Sequence, residues 1–148
     1  MIAPDFFRDR LRIEHIEEQD VSAVIALWQG CGLVRSQRKA VYEISTLRAC
    51  PTATILVARA NEALVGVAVA GFDGRQGWLS NVAVDPCLHR NGIGRALVKH
   101  GEQWLQALGA SSINVQLPGD NKVAVQFCRG LGYVDQGLKT FARQLAQV

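Results

Sequence analysis

Paired cysteines are missing from this sequence. Cys31, Cys50, Cys87 and Cys128 stand far apart, with no C-x-x-C pair and no histidine at metal-ligand spacing. That excludes a disulfide framework and a zinc module, and it predicts reduced, partly buried thiols with no metal. Long apolar runs are missing too. The longest, "ALVGVAVAGF", falls far short of the roughly 20 residues that cross a bilayer, and the N-terminal "MIAPDFFRDR" places charges where a signal peptide is apolar. A soluble, cytoplasmic protein with no membrane association is the expectation. A charge excess is also lacking: 16 Lys and Arg against 13 Asp and Glu leave a net +3. This mild surplus suits an anionic ligand, but without a concentrated basic face it does not point to nucleic acid. With no repeat, low-complexity stretch or linker, the 148 residues read as a single domain over 1–148, long enough to bury a core.

Apolar residues make up 49% of the chain and charged residues 20%, an ordinary balance for a globular protein. "LRIEHI" (11–16) alternates like a strand. Asp20 stands at an N-cap position before Val21, Val24, Ile25 and Trp28 at helical spacing, and Gly30 and Gly32 end that pattern. A second helix is predicted over 39–48, with Val41, Ile44 and Leu47 on one face and Pro51 closing it. Three apolar segments follow, "ATILVARA", "ALVGVAVAGF" and "GWLSNVAV", separated by Asn61-Glu62 and Asp73-Gly74 turns, and they read as an antiparallel meander. Residues 92–108 carry the longest helical pattern, with Ile93, Leu97, Trp104, Leu105 and Leu108 on a face and Gly109 as its stop. "SSINVQL" is a further strand, Asp120 or Asn121 caps a helix through Leu131, and "LGYVDQG" leads to a last strand around 138–145. The order is β-α-α-β-β-β-α-β-α-β-β in one α/β (α+β) domain, a mixed central sheet of about six to seven strands flanked by four helices. His15, His100 and the three tryptophans are read as structural or solvent-facing.

Gly92 and Gly94 sit at the entrance of that longest helix, where backbone freedom needs a reason. A dinucleotide fingerprint requires a third glycine where Leu97 stands, and a Walker loop requires Gly-Lys-Ser/Thr on entry to a helix; the nearest approach, over 132–140, has an extra Leu138 and leads to a strand. Two readings stay open. The helix N-terminus faces an anion with its free N–H groups, aided by Arg90, Arg95 and Lys99, or the glycines form a tight loop that binds nothing.

"VAVDPCLHRNGIGRALV" resembles the acetyl-CoA pyrophosphate loop of the GNAT N-acetyltransferases, Arg/Gln-x-x-Gly-x-Gly/Ala after a V-x-V-x-P strand. "GDNKVAVQFCRGLGYVD" resembles the second motif of the same family: Asn, Ala, an aromatic-Tyr pair, then Gly-Phe/Tyr. The stretches "CGL", "GFDGRQGWLSNVAVDP" and "INVQLPGDN" are similar to small bacterial YpeA-like members, so that the resemblance runs through nearly the whole chain. It implies the GNAT fold and acetyl-CoA as co-substrate. It also implies transfer of the acetyl group to a primary amine of a small molecule or peptide, by direct attack in a ternary complex.

Carried over by position, the resemblance places the pantetheine arm along Asn81, Val82, Ala83 and Val84, with an N–H near Val82 as the donor to the developing oxyanion. The pyrophosphate falls on His89, Arg90, Asn91, Gly92, Ile93, Gly94 and Arg95. Asn121 touches the pantetheine arm and Phe127 packs near it. Two positions depart from the pattern: His89 stands where the family has Arg or Gln, and Cys128 stands where it has the tyrosine that protonates the departing thiolate. Cys128 is either that acid or a packing residue. The strand before the loop offers Trp78, Ser80 and Asn81 and no carboxylate, so no general base is assigned; a water held by Asn81 or by strand carbonyls, or Glu43 on the second helix, are the candidates. Asp73 is read as a turn residue, and "RSQRK" (35–39) as a solvated helix start. The rival from another class is a non-catalytic acyl-CoA-sensing or partner-binding module. An exposed edge strand at the C-terminus allows a homodimer.

Overall fold

The computed structural model describes residues 11–117 and 120–146. The alternating segments pair into one mixed sheet in the order β1-β2-β3-β4-β5, built from β1 (Leu11–His15), β2 (Ala53–Ala60), β3 (Ala63–Phe72), β4 (Gly77–Val84) and β5 (Ile113–Val115). The first three joins are antiparallel and β4–β5 is parallel, because a helix and its connections separate those two strands. Asp73 closes the β3–β4 turn as expected: its Oδ1 accepts from the N–H of Arg75 at 2.8 Å and of Gln76 at 2.7 Å.

The sheet is covered on both faces. On one, α1 (Val21–Gly30) and α2 (Gln37–Ala49) bury Val24, Ile25, Trp28, Ala40 and Ile44 against Ile55, Val57, Val67, Val69 and Ala83. On the other, α3 (Ile93–Leu108) lays Ile93 and Leu97 on Leu56, Ala58 and Ala68, and Val98 and Leu105 on Ala70 and Leu79. The near-continuous apolar runs of β2 and β3 follow from this two-sided burial. Small residues set how closely α3 approaches. A Cβ on Gly101 would stand 2.7 Å from Leu79, and one on Gly66 2.9 Å from both Ile93 and Leu97. The fourth helix, α4 (Lys122–Gly130), is capped by Asn121, whose side chain accepts from Ala124 N–H at 3.0 Å.

Four expectations are corrected. Among the described residues the sheet has five strands, not about six to seven, and the order ends β-α. The segment expected as a last strand, 138–145, has no regular structure, since among the described residues no strand meets its backbone groups; Leu138, Phe141 and Leu145 are 84%, 91% and 91% exposed. Asp20 occupies the N-cap position of α1, but its side chain makes no capping bond to that helix and instead closes the capping box of the 3-10 turn before it. It accepts from Arg59 Nη2 at 2.7 Å and from Glu17 N–H at 2.8 Å. On α2, Val41 is exposed and Ala40 is buried in its place beside Ile44, because the buried stripe is rotated by one residue. The described residues include no helix long and apolar enough to cross a membrane and no cluster of three metal-ligating side chains. All four cysteines are free thiols.

Candidate active site

The site grows from a departure in strand pairing. β4 pairs with β5 only from Gly77 to Leu79, opposite Ile113, Asn114 and Val115. One more bond, Gln116 N–H to the Leu79 carbonyl at 3.1 Å, ends the contact. From Ser80 to Val84 the strand keeps its β3 partner and, among the described residues, has no strand paired on the other side. The two parallel strands therefore open into a wedge.

A β-bulge decides which backbone groups face that wedge. The β3–β4 register pairs Val69 with Ser80 but Val67 with Ala83, so that Asn81 and Val82 together oppose the single residue Ala68. Asn81 takes φ +50°, a left-handed conformation that Asn tolerates better than most side chains. Gly77 N–H and the Leu79 carbonyl point at β5, whereas Asp85 N–H points at the Val65 carbonyl on β3. Strict alternation would direct residues 81 and 83 into the wedge. The extra residue shifts that parity, and the backbone groups of Val82 and Val84 face it instead. Val82 N–H then faces the wedge, with Ala83 turned to β3 and its side chain in the core.

At the wide end of the wedge the chain enters the loop between β4 and α3. Asp85 accepts from Cys87 N–H at 3.0 Å and starts a 3-10 turn, Pro86–Leu88. Arg90 then takes φ +69° and Gly92, the N-cap of α3, takes φ +80°. Asn91 steadies the turn by donating to the carbonyls of Leu88 and His89 at 2.9 Å and 3.3 Å. The first intrahelical bond is Ala96 N–H to the Gly92 carbonyl. It leaves the N–H groups of Ile93, Gly94 and Arg95 without helical partners at the positive end of the helix dipole. Arg90, Arg95 and Lys99 are exposed there, so the loop concentrates N–H donors and positive charge.

The two glycines do different work. Gly92 supplies the left-handed turn, and a Cβ there would meet nothing within 4 Å. Gly94 makes room for a neighbour: its missing Cβ would stand 3.1 Å from the Phe127 ring and 3.7 Å from Val84 Cγ2. Val84, Gly94 and Phe127 thus converge at the mouth of the wedge. His89 turns back toward the strand, its Nε2 3.0 Å from the Val84 carbonyl, where the nitrogen donates. The same carbonyl accepts from the Cys31 thiol at 3.6 Å. Cys31, at the end of α1, was not legible as a site residue, since 53 positions separate it from Val84.

Cys128 lies one residue beyond Phe127 on α4 and is half-buried, and burial pushes its thiol above the ordinary range. Tyr133 donates to Glu102 Oε2 at 2.7 Å, tying the end of α4 to α3. Burial first, and then that carboxylate, raise its pKa. Asn121 is held as the cap of α4, while Glu43 is exposed on α2. β4 carries no carboxylate. The structure therefore brings Val84, Gly94 and Phe127 together, with His89 bonded to the Val84 carbonyl, while Ile93 of the same loop is buried in the core.

Residues 21–133 match the family model described as the acetyltransferase (GNAT) family. The structure is similar to AAC(6')-Iy in complex with the bisubstrate analogue CoA-S-monomethyl-acetylneamine, at 14% identity and a TM-score of 0.79, covering 92% of this chain and 99% of that one. It is similar to an aminoglycoside acetyltransferase from an uncultured soil metagenomic sample in complex with sisomicin, at 20% identity and a TM-score of 0.79, covering 95% and 99%. A transcriptional regulator from Bacillus halodurans is similar at 16% identity with a TM-score of 0.77, covering 91% and 99%. At such identities the likeness is one of fold.

Proposed function

Since this chain belongs to the acetyltransferase (GNAT) family, we propose that it transfers an acetyl group from acetyl-CoA to a primary amine, by direct attack within a ternary complex. The observation that carries the proposal is the opened edge of β4, where the bulge at Asn81 turns Val82 and Val84 into the wedge beside a loop of free N–H groups. The residues fit the co-substrate. Arg90, Gly92, Gly94 and Arg95 would hold the pyrophosphate, since backbone donors at a helix N-terminus suit an anion. The backbone of Val82 and the N–H of Val84 would lie along the pantetheine arm like an added strand, the Val84 carbonyl being held by His89 and Cys31.

The chemistry asked of the protein is small. As the amine nitrogen attacks the thioester carbonyl, a C–N bond forms, the oxygen gains negative charge, and Val82 N–H donates to it. A fixed donor at that point is worth about 3 kcal/mol of barrier. The C–S bond then breaks, the amine proton leaves to water, and the departing thiolate takes a proton from Cys128 or from solvent. Burial raises the Cys128 thiol above its ordinary range, which favours the protonated form an acid needs. Holding both reactants in one cleft supplies the rest through proximity, and no covalent enzyme intermediate is needed.

The acceptor is proposed as a small-molecule amine. Relatives in complex with acetylneamine analogues and sisomicin support that class. A second reading, a binding module that keeps the loop and lacks turnover, is favoured by two observations: β4 has no carboxylate, and Cys128 stands in the tyrosine position.

Calorimetric titration with acetyl-CoA, with desulfo-CoA and adenosine as controls, tests the loop. Micromolar affinity that requires the pyrophosphate is expected, and its loss in Gly92→Glu. Release of free CoA thiol across an amine panel that includes aminoglycosides then separates the enzyme from the module. Tight binding with no thiol release from any amine would favour the module.

A further inference from the structure

Among the described residues, one hydrogen bond fastens 120–146 to the rest of the molecule, and that stretch contains α4. Asn121 caps its own helix, and beyond Tyr133 the chain bonds only to itself. No described ion pair reaches it. The exception is Tyr133, whose hydroxyl donates to Glu102 Oε2 on α3 at 2.7 Å. The apolar contacts of α4 are shallow. None of its residues is fully buried, and Phe127, Leu131 and Tyr133 rest against the cluster formed by Ala70, Leu79, Val98 and Leu105. A helix seated so lightly takes its position from its few directional bonds.

The end of α4 is built to transmit that bond. It closes in a Schellman turn: Gly132, at φ +93°, donates to the Arg129 carbonyl at 3.0 Å, and Tyr133 N–H donates to the Cys128 carbonyl at 3.0 Å. These two bonds fix Tyr133 to the last turn of the helix, so a restraint on its hydroxyl restrains α4 itself. At the other end, Phe127 meets the open side of Gly94. Gly94 and Glu102 are eight residues apart on α3, roughly 12 Å along the helix axis. α4 is thus held to α3 at two points, a ring contact at the mouth of the wedge and a hydrogen bond about two turns further on.

We propose that Tyr133 and Glu102 form a latch that positions α4 for acetyl-CoA: their bond holds Phe127 against Gly94 and sets the place of Cys128, one residue on. The latch rests on the reading of the loop and wedge as the acetyl-CoA site. Both are positioning residues, acting through α4 without touching the co-substrate. A carboxylate suits the task, since an ionised acceptor makes this bond about twice as strong as one between neutral groups. The sheet and the helices α1 to α3 form their buried core without α4, so opening the latch frees one helix and leaves the domain folded.

Tyr133→Phe tests this, because it removes the hydroxyl and keeps the ring. By calorimetry its acetyl-CoA affinity is expected to fall about 10-fold, the scale of one charge-assisted hydrogen bond, with an unchanged far-UV CD spectrum. Glu102→Ala should match it, and the two changes together should be no worse than either alone. Glu102→Gln keeps an oxygen acceptor and should recover most of the affinity. In the ligand-free protein, iodoacetamide should reach Cys128 several-fold faster in Tyr133→Phe and Glu102→Ala than in the wild type, with Cys31 as internal standard. A lowered melting temperature with wild-type affinity and wild-type Cys128 labelling would make the bond purely structural and overturn the proposal. Lost affinity with no change at Cys128 would overturn it too, since the effect would not pass through α4. A wild type that binds no acetyl-CoA would sink the reading of the loop instead. The labelling rates would then decide the latch by themselves: faster labelling in both variants supports it, and equal rates overturn it.

Discussion

The Phe127 ring lies 3.1 Å from the point where a Cβ on Gly94 would stand, so the second glycine of the loop is a seat for an aromatic ring. This contact links α4 to the first turn of α3 at the mouth of the wedge. Gly94→Ala is expected to displace the ring, cost about 1 kcal/mol of stability, and weaken acetyl-CoA binding. Phe127→Leu in the same chain should recover part of both, because the smaller side chain relieves the contact. A double-mutant cycle in urea with parallel calorimetry measures this, and strictly additive effects would show that the two residues do not couple.

Asn81 sets the parity of the wedge. Asn81→Gly should preserve melting temperature and acetyl-CoA affinity, because glycine adopts φ +50° without strain. Asn81→Val should cost about 1–3 kcal/mol and lose affinity as well, since a flattened bulge would return Val82 to the β3 side. Equal affinity in both variants would mean that the backbone of Val82 and Val84 plays no part in binding.

The Arg59–Asp20 pair is a separate, structural feature. The side chains are 13% and 4% exposed, and Arg59 also reaches Glu14 at 3.2 Å. Asp20→Ala leaves a largely buried guanidinium with half its partners, and a loss of about 3 kcal/mol in urea unfolding is expected. Glu18→Ala removes the partner of Arg48 at an exposed site, where the expected change is below about 1 kcal/mol. Comparable losses in the two variants would contradict the burial argument.

The thiols should react in a definite order. Hydrogen bonding to Thr52 lowers the pKa of the exposed Cys50, so more of it is thiolate at a given pH. Burial raises the pKa of Cys31 and Cys128, and their thiolate fractions rise only at higher pH. Iodoacetamide at pH 8 followed by peptide mass spectrometry should label Cys50 well before Cys31 or Cys128. The labelling midpoint of Cys128 should lie above that of an ordinary thiol. Rapid labelling of Cys128 at pH 7 would rule out its role as a proton-holding acid.

Local geometry was legible in the residues themselves. Ile93, Leu97 and Leu105 share the buried face of α3 because a helix repeats every 3.6 residues. Asn121 caps α4 because a short side-chain oxygen reaches the third N–H, and Asp73 holds its turn for a similar reason. Gly92 announced a left-handed N-cap by being glycine. The two motifs, at their separation, further pointed to the family.

What the sequence by itself determined, then, was the kind and order of the elements as far as α4, and the position of the loop. Only the tertiary structure decided which groups the loop and strand present. The parity of Val82 and Val84 depends on how many β4 residues oppose Ala68 on another strand. The contact of Cys31 with the Val84 carbonyl joins positions 53 apart, and the Phe127–Gly94 contact needs α4 set against α3. Residues 138–145 alternate well enough to be read as a strand, yet they form none here. Periodicity is a property of one segment's backbone, whereas strand pairing requires a second backbone at hydrogen-bonding distance, and no segment carries the address of its partner in its own residues.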